Sequence, residues 1–380
     1  MGLSLNIKKM KLITSTYRFF DQDIEICSDN KETIELMDSM YKRFNVKAGK
    51  KYAQSTRYEV LTSSLPGKKS VIRTNGYCRE IEHAAYVPSI AHGIIMRQTL
   101  SKVRSHLLFH AAALSNHNRG IIIVADSGCG KTTLTLALMT RGFRFLSDEI
   151  AALSLSDGQL VPYYRCLWIR SGTINALRRF GLDYPDHESV RRTGDREAVH
   201  VSGKSLGHAC RLDYVVFLTI PSDRDKGLCF VTVDRIGKKL LSDLQATAEV
   251  EEVINPLSGM HPKKTDSRFP VLKVRTELLY KVYDFCERNG VLILDAKEED
   301  KEHCLFDSKP EIQKISKLTG AMELLRSFYG SRNSELFRKD FKRGPAQLIE
   351  PIIKLTRNTK FFRISPGKLN LMVEEIISVL

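Results

Sequence analysis

The chain has 380 residues, enough for two or three domains, and 42% of them are apolar, which excludes a disordered chain. Its 59 Lys and Arg against 44 Asp and Glu leave a net charge of +15, so an anionic partner is expected: nucleotide, acidic peptide, nucleic acid or membrane surface. The basic residues are spread along the chain without interleaved aromatics, which argues against nucleic acid and for a solvated basic surface.

The first stretch, MGLSLNIKKMKLITSTYRFF, has no long apolar core of the secretory kind, and Asn6 breaks the myristoylation pattern. No segment approaches the roughly 18 apolar residues that cross a bilayer, so a cytoplasmic protein without a membrane span is expected. Eight cysteines occur with no CxxC pair, which disfavours structural zinc and a disulfide framework and suggests a reducing compartment. Residues 1–100 mix short β-rich segments with one helix in SDNKETIELMDSMYKRF, capped by Ser28 or Asp29 and striped by Ile34, Leu36, Met37 and Met40. Pro66-Gly67 marks a turn. No recognisable chemistry lies here, and the region reads as an accessory β/α unit for partner recognition.

From His106 to Leu114, HLLFHAAAL reads as a strand, and SNHNRG turns it into a second strand, Ile121 to Ala125. That short antiparallel link means the sheet is mixed. His110 lies in the first of these strands, where a lone histidine is more often a hydrogen-bonded core residue than a functional one. The loop Asp126 to Gly130 follows, and the spacing of Leu134, Leu136, Leu138 and Met139 suits a helix. Gly130, Lys131 and Thr132 match GxxxxGK[ST], with Ala125 at the first glycine.

A glycine and a lysine at a turn can simply cap a helix. The strand before, the helix after and the hydroxyl at the right offset favour nucleotide binding instead. Asp126, Ser127, Gly128, Cys129, Gly130, Lys131, Thr132 and Thr133 would wrap phosphate oxygens with backbone amides at a positive helix end. Lys131 would reach the β- and γ-phosphates, and Thr132 would ligate Mg²⁺. Cys129 is read as a small side chain that fits the loop.

RGFRFLSDE then runs through Phe143, Phe145 and Leu146 to Asp148 and Glu149, at the end of a strand where phosphate-loop folds place a metal-coordinating acid. Adjacent side chains on an extended backbone point opposite ways, so both acids face the phosphates only if the chain bends there. LSLSDGQLVPYYRCLWIR reads as a hairpin with a type I′ turn at Asp157-Gly158. Its LSDGQ follows the acids, whereas the transporter-ATPase signature of that form precedes them, so that family is rejected. Residues 183–210 are polar and aperiodic, an ordered loop or a lid. Leu212 to Ile220 is a buried strand, DRIGKKLLSDLQATAEV a helix and PLSGMHPKKTDSRFP a basic loop. VLKVRTELLYKVYDFCERNG reads as an amphipathic helix ending at Gly290, and VLILDA as a strand. Residues 299–380 turn helical and basic, closing on the strand FFRIS and a helix with Pro366 near its first turn.

Taken together, FHAAAL, ADSGCGKTT, RGFRFLSDE and LWIRSGTIN resemble the catalytic domain of HPr kinase/phosphorylase. The wider HPr-kinase-like group includes kinases that phosphorylate a serine of a lasso-peptide precursor. The match covers Ser105 to Ile174 and extends weakly to Ala296. It implies an α/β protein whose P-loop, HPr-kinase/PEP-carboxykinase-like core spans residues 101–298, flanked by the β/α region 1–100 and a mainly helical region 299–380. By resemblance, His110 lines the phosphate site, Asp148 is the general base on the serine hydroxyl, Glu149 lies near the metal, and Arg170 is the arginine of an LEIRG-like signature. Three positions depart: Ala125 for the first loop glycine, Ser171 for the signature glycine, and Trp168 for a glutamate that helps organise the metal. The last removes a carboxylate and counts against the reverse, phosphorylase reaction more than against the kinase.

The expected activity is ATP- and Mg²⁺-dependent phosphorylation of a serine in a peptide or protein substrate, with Thr132 and Glu149 on the metal and Asp148, Lys131, His110 and Arg170 at the reaction centre. Two other readings stay open, a small-molecule hydroxyl kinase and a non-catalytic ATP-binding module. A homo-oligomer is also open.

Overall fold

The computed structural model describes residues 12–46, 55–63, 69–81, 84–125, 129–182, 186–193, 196–219, 228–248, 250, 252–254, 269–275, 291–298, 308–329 and 346–380, with isolated positions between 278 and 289. The chain opens with β1 (Ile13–Phe19), β2 (Gln22–Ser28), α1 (Lys31–Tyr41), β3 (Thr56–Leu61), β4 (Ser70–Thr74), β5 (Tyr77–Ile81) and α2 (Val87–Leu100). The five strands form one sheet in chain order. Only β2 and β3 pair in parallel, because α1 carries the chain back between them.

The cap of α1 is Asn30, whose side chain accepts a hydrogen bond from the Thr33 amide at 3.3 Å. The expected caps are engaged elsewhere: Ser28 Oγ accepts from the Asn30 amide and Asp29 from the Thr62 amide. The stripe Ile34, Leu36, Met37 and Met40 is buried as expected. Helix α2 is an addition to the single helix expected in this region. Val87, Ile90, Ala91, Ile94, Ile95 and Met96 are all buried, so it is apolar around most of its circumference and shows no amphipathic stripe in the sequence. Pro66-Gly67 lies outside the described residues.

A second, nine-stranded sheet holds the centre. Its first strands are β6 (His106–His110), β7 (Ala112–Asn116), β8 (Arg119–Ala125), β9 (Arg144–Ser147), β10 (Ile150–Ser154) and β11 (Gln159–Val161), with α3 (Lys131–Met139) between β8 and β9. Next come β12 (Leu167–Arg170), α4 (Ser171–Arg179), β13 (His187–Thr193), β14 (Arg196–Val201), β15 (Cys210–Leu218), β16 (Leu228–Val233), α5 (Lys238–Ala248), β17 (Glu252–Ile254), β18 (Val271–Arg275) and β19 (Ile293–Glu298). The chain closes with β20 (Ile312–Ile315), α6 (Lys317–Arg326), α7 (Ala346–Leu355), β21 (Lys360–Ile364) and α8 (Leu369–Val379). The central order is β6-β10-β11-β15-β8-β7-β9, with β21 on β15 and β20 on β21. The sheet is mixed: β15 runs parallel to β8 and β21, and the other pairs are antiparallel. Strands β12-β14-β13 and β17-β18-β16-β19 form two smaller sheets.

Four expectations change. HLLFHAAAL is two strands parted at Ala111, with β6 on β10 and β7 on β8 and β9. The type I′ turn is not at Asp157-Gly158, where only Gly158 has positive φ, but at His117-Asn118, where both do, at 49° and 61°. Within the aperiodic stretch 183–210, residues 187–201 form the β13–β14 hairpin; charged residues on its outer face hide the buried Ala198, Val199 and Val201. VLKVR is strand β18, paired to β16 and β17 with Val271, Leu272 and Val274 buried, where β-branched alternation overrides the helical reading. The basic loop at 256–268 and Gly290 lie outside the described residues.

Among the described residues the C-terminal region supplies two strands as well as three helices, so it completes the central sheet rather than lying beside it. Gly320 lets α6 sit directly on β21: a Cβ there would stand 2.2 Å from Phe361 Cγ. Among the described residues no helix is long and apolar enough to cross a membrane, and their seven cysteines are free.

Arg79 on β5 and Asp234 after β16 form a fully buried ion pair, and Asp234 also accepts from the Leu292 amide at 2.7 Å. Removing one partner leaves an uncompensated buried charge. Arg79→Ala is therefore expected to lower the unfolding free energy by about 3–5 kcal/mol, read by denaturant titration; a loss under about 1 kcal/mol would show that solvent reaches the aspartate.

Candidate active site

Strand β8 ends at Ala125 with ordinary extended backbone, so the methyl in place of the first loop glycine brings no strain. Asp126, Ser127 and Gly128 lie outside the described residues. Cys129 is buried against the core of the central sheet. Gly130 has φ +84° and is the cap of α3, a conformation that a side chain resists. Lys131, Thr132 and Thr133 form the first turn of α3, where amides have no partner within the helix. Burial brings the Lys131 ammonium below the usual lysine range, and Asp148 and Glu149 partly restore it.

The two acids sit in a bend. Ser147 faces Ala113 and Ile150 faces His110, a single register that runs across the break and sets Asp148 and Glu149 opposite Ala112 and Ala111. Ser147 makes the bend: its buried hydroxyl accepts from the amides of Glu149 and Ile150 at 3.3 and 3.1 Å, replacing ladder bonds. The Ala111 amide still reaches the Glu149 carbonyl at 3.1 Å. With the backbone turned here, both carboxylates interact with Lys131.

Asp148 Oδ2 accepts a hydrogen bond from Thr132 Oγ1 at 3.0 Å, while Oδ1 is buried without a partner. Burial pushes the Asp148 carboxyl above its usual range despite Lys131 and Thr132. Glu149 behaves oppositely. Burial pushes it up, but the Arg165 guanidinium beside it, with His110 and Lys131, more than offsets this and leaves it low. Arg165 Nη1 and Glu149 Oε2 form an ion pair.

His110 ends β6 at this level as an exposed residue. The Lys131 ammonium foremost pushes its pKa down to about 4, so it is neutral at pH 7. Arg170 ends β12 as the cap residue of α4 and donates to the Ala296 carbonyl at 3.4 Å. The start of α4 meets the start of α3, where Thr133 Oγ1 donates to Thr173 Oγ1 at 3.2 Å. Trp168 lies two residues back and packs on the core of the N-terminal sheet.

Arg165 and Ser147 are the site residues that the sequence reading missed. Neither belongs to the phosphate-loop pattern, and Arg165 sits in an irregular strap between β11 and β12. A further histidine, His92 on α2, shares a 2.9 Å hydrogen bond with Tyr41 Oη. Burial first, then Arg165, push His92 down to about 4.

No family model matches the chain, and no curated protein matches it. Among solved structures, the HPr(Ser) kinase/phosphatase from Coxiella burnetii is similar at 17% identity, covering 31% of this chain and 69% of that chain with a TM-score of 0.20. So slight a likeness carries no argument, and the reading that follows rests on the residues.

Because folding holds His92 and His110 below the 6.5 of a free histidine, the unfolded chain takes up protons that the native one refuses. Their contribution to stability is complete above pH 6.5 and is lost as pH falls toward about 4. Unfolding free energy measured from pH 7 to 4 should decline through that window, and His92→Gln should flatten the decline; an unchanged slope would mean that His92 protonates freely in the native state.

Proposed function

We propose that this chain is a kinase that transfers the γ-phosphoryl group of ATP to a hydroxyl, a serine of a peptide or protein being the acceptor that the sequence resemblance implies. The observation that carries the reading is Thr132 Oγ1 at 3.0 Å from Asp148 Oδ2, at the amide-rich start of a helix headed by Lys131. Lys131 and the free amides of that turn stabilise the charge on the transferring group. Asp148, a half-buried carboxylate of raised proton affinity with one oxygen unpartnered, is the base that takes the hydroxyl proton as the oxygen attacks phosphorus. In this reading neutral His110 stands near Lys131, and Arg170 would act from the start of α4, which meets α3 through Thr173 and Thr133. A lasso-peptide precursor is one acceptor of the right chemistry, and the N-terminal region would recognise it.

The donor set fits magnesium. A threonine hydroxyl and two carboxylates are hard oxygen ligands, and the orphaned Asp148 Oδ1 is a buried acceptor that lacks a positive partner. Bound there, the ion neutralises charge on the β- and γ-phosphate oxygens. Thr132 would hold it together with Glu149. A second assignment has its own support: the Thr132–Asp148 contact favours Asp148 as the ligand, with Glu149 as the base.

Transfer from labelled ATP to serine peptides tests the reading. Asp148→Asn should bind nucleotide normally and lose transfer by about 10²–10⁴-fold, whereas Lys131→Ala should lose both; a full rate in Asp148→Asn removes Asp148 from the chemistry. Glu149→Gln decides the metal: if it loses the magnesium dependence of binding, Glu149 is the ligand, and if Asp148→Asn loses it instead, the second assignment holds.

A further inference from the structure

The strap from 162 to 166 joins two parts of the molecule that the sequence treats as separate. On one side the Tyr163 amide donates to the Leu146 carbonyl at 2.9 Å, two residues before Asp148. On the other, the Cys166 amide donates to the Met40 carbonyl near the end of α1 at 3.2 Å. The Tyr163 ring packs against Phe20 and Phe44 of the N-terminal unit, with ring centres 5.8 and 5.1 Å away. Arg165 lies between these anchors. Its amide donates to the Tyr163 carbonyl at 2.8 Å, and its guanidinium holds Glu149.

We propose that Arg165 is a positioning residue for phosphoryl transfer, fixing the Glu149 carboxylate, and that the N-terminal sheet and α1 hold Arg165 in place. The inference rests on the reading that Asp148 and Glu149 are the acids of the reaction, and it stands whichever of them meets the metal. With Lys131 and Arg165 opposite Asp148 and Glu149, the charges balance two against two before any nucleotide enters. Without Arg165, Glu149 is an unpaired anion facing the phosphates, free to draw Lys131 away from them. The N-terminal unit is on this account part of the catalytic apparatus, whatever partner it also recognises.

The test compares Arg165→Gln and Arg165→Lys with the unaltered full chain, using MgATP hydrolysis to water as the turnover probe and ATP binding in EDTA as the metal-free one. Arg165→Gln should bind ATP in EDTA within about threefold of the unaltered chain and lose turnover by about 10–100-fold, the usual effect of removing a residue that orients a ligand. Arg165→Lys or added guanidinium should restore part of kcat. Turnover in Arg165→Gln within twofold of the unaltered chain overturns the proposal. So does a loss that neither lysine nor guanidinium repairs, which marks a structural role, or a collapse of metal-free binding, which marks a phosphate ligand. If the unaltered chain binds ATP and hydrolyses it but phosphorylates no serine peptide, the acceptor reading fails while this test remains readable.

Discussion

Strands 106–116 and 144–154 form one antiparallel ribbon whose register carries across a break from Ile150–His110 to Ser147–Ala113 and then shifts by one residue beyond Ala113. At that level one strand is interrupted at Ala111 and the other bends through Asp148 and Glu149. The bend frees two adjacent carboxylates from the strict alternation of a strand, and the charge of each favours the Lys131 ammonium. Strand β8 pairs with β7 on the far side of the same ribbon, which sets its end at Ala125 beside this part of the sheet. Hydrogen bonding by Ser147 stabilises this geometry in place of the ladder bonds the bend removes.

Electrostatics then divides the two acids. Both are half-buried, but only Glu149 has a guanidinium against it, so its charge is held while Asp148 keeps a raised affinity for protons. A carboxylate kept ionised and one poised to accept a proton are the pair that acid–base chemistry at neutral pH requires. The difference comes from one side chain on an irregular strap and not from the acids' own sequence context.

The phosphate-loop strand, its helix, the acids and the mixed sheet were legible because each rests on local pattern: β-branched runs, a glycine at positive φ, a short turn. Long-range placement was not. Nothing in YYRC distinguishes Arg165 from a surface arginine, because its role depends on Leu146 and Met40 reaching the strap from opposite sides. Helix α2 escaped because a helix buried on most sides has no stripe, and β18 because VLKVRTELLYKV satisfies a helical period as well as a strand's. The short antiparallel turn at SNHNRG was legible, but its type I′ geometry was assigned to Asp157-Gly158, since Asp-Gly is the stronger motif, whereas His117-Asn118 adopts it.

Strand β21 docks in parallel on β15, directly across from strand β8. Parallel pairing between segments so distant in the chain is slow to close, because the loop entropy must be overcome before any contact rewards it. The β1–β2 and β4–β5 hairpins, by contrast, are local. Assembly of the molecule therefore has a natural order: the local N-terminal hairpins can form early, their core is completed only by later residues such as Tyr163 and Asp234, and the central sheet gains its last parallel strand only after residues 360–364 have been made.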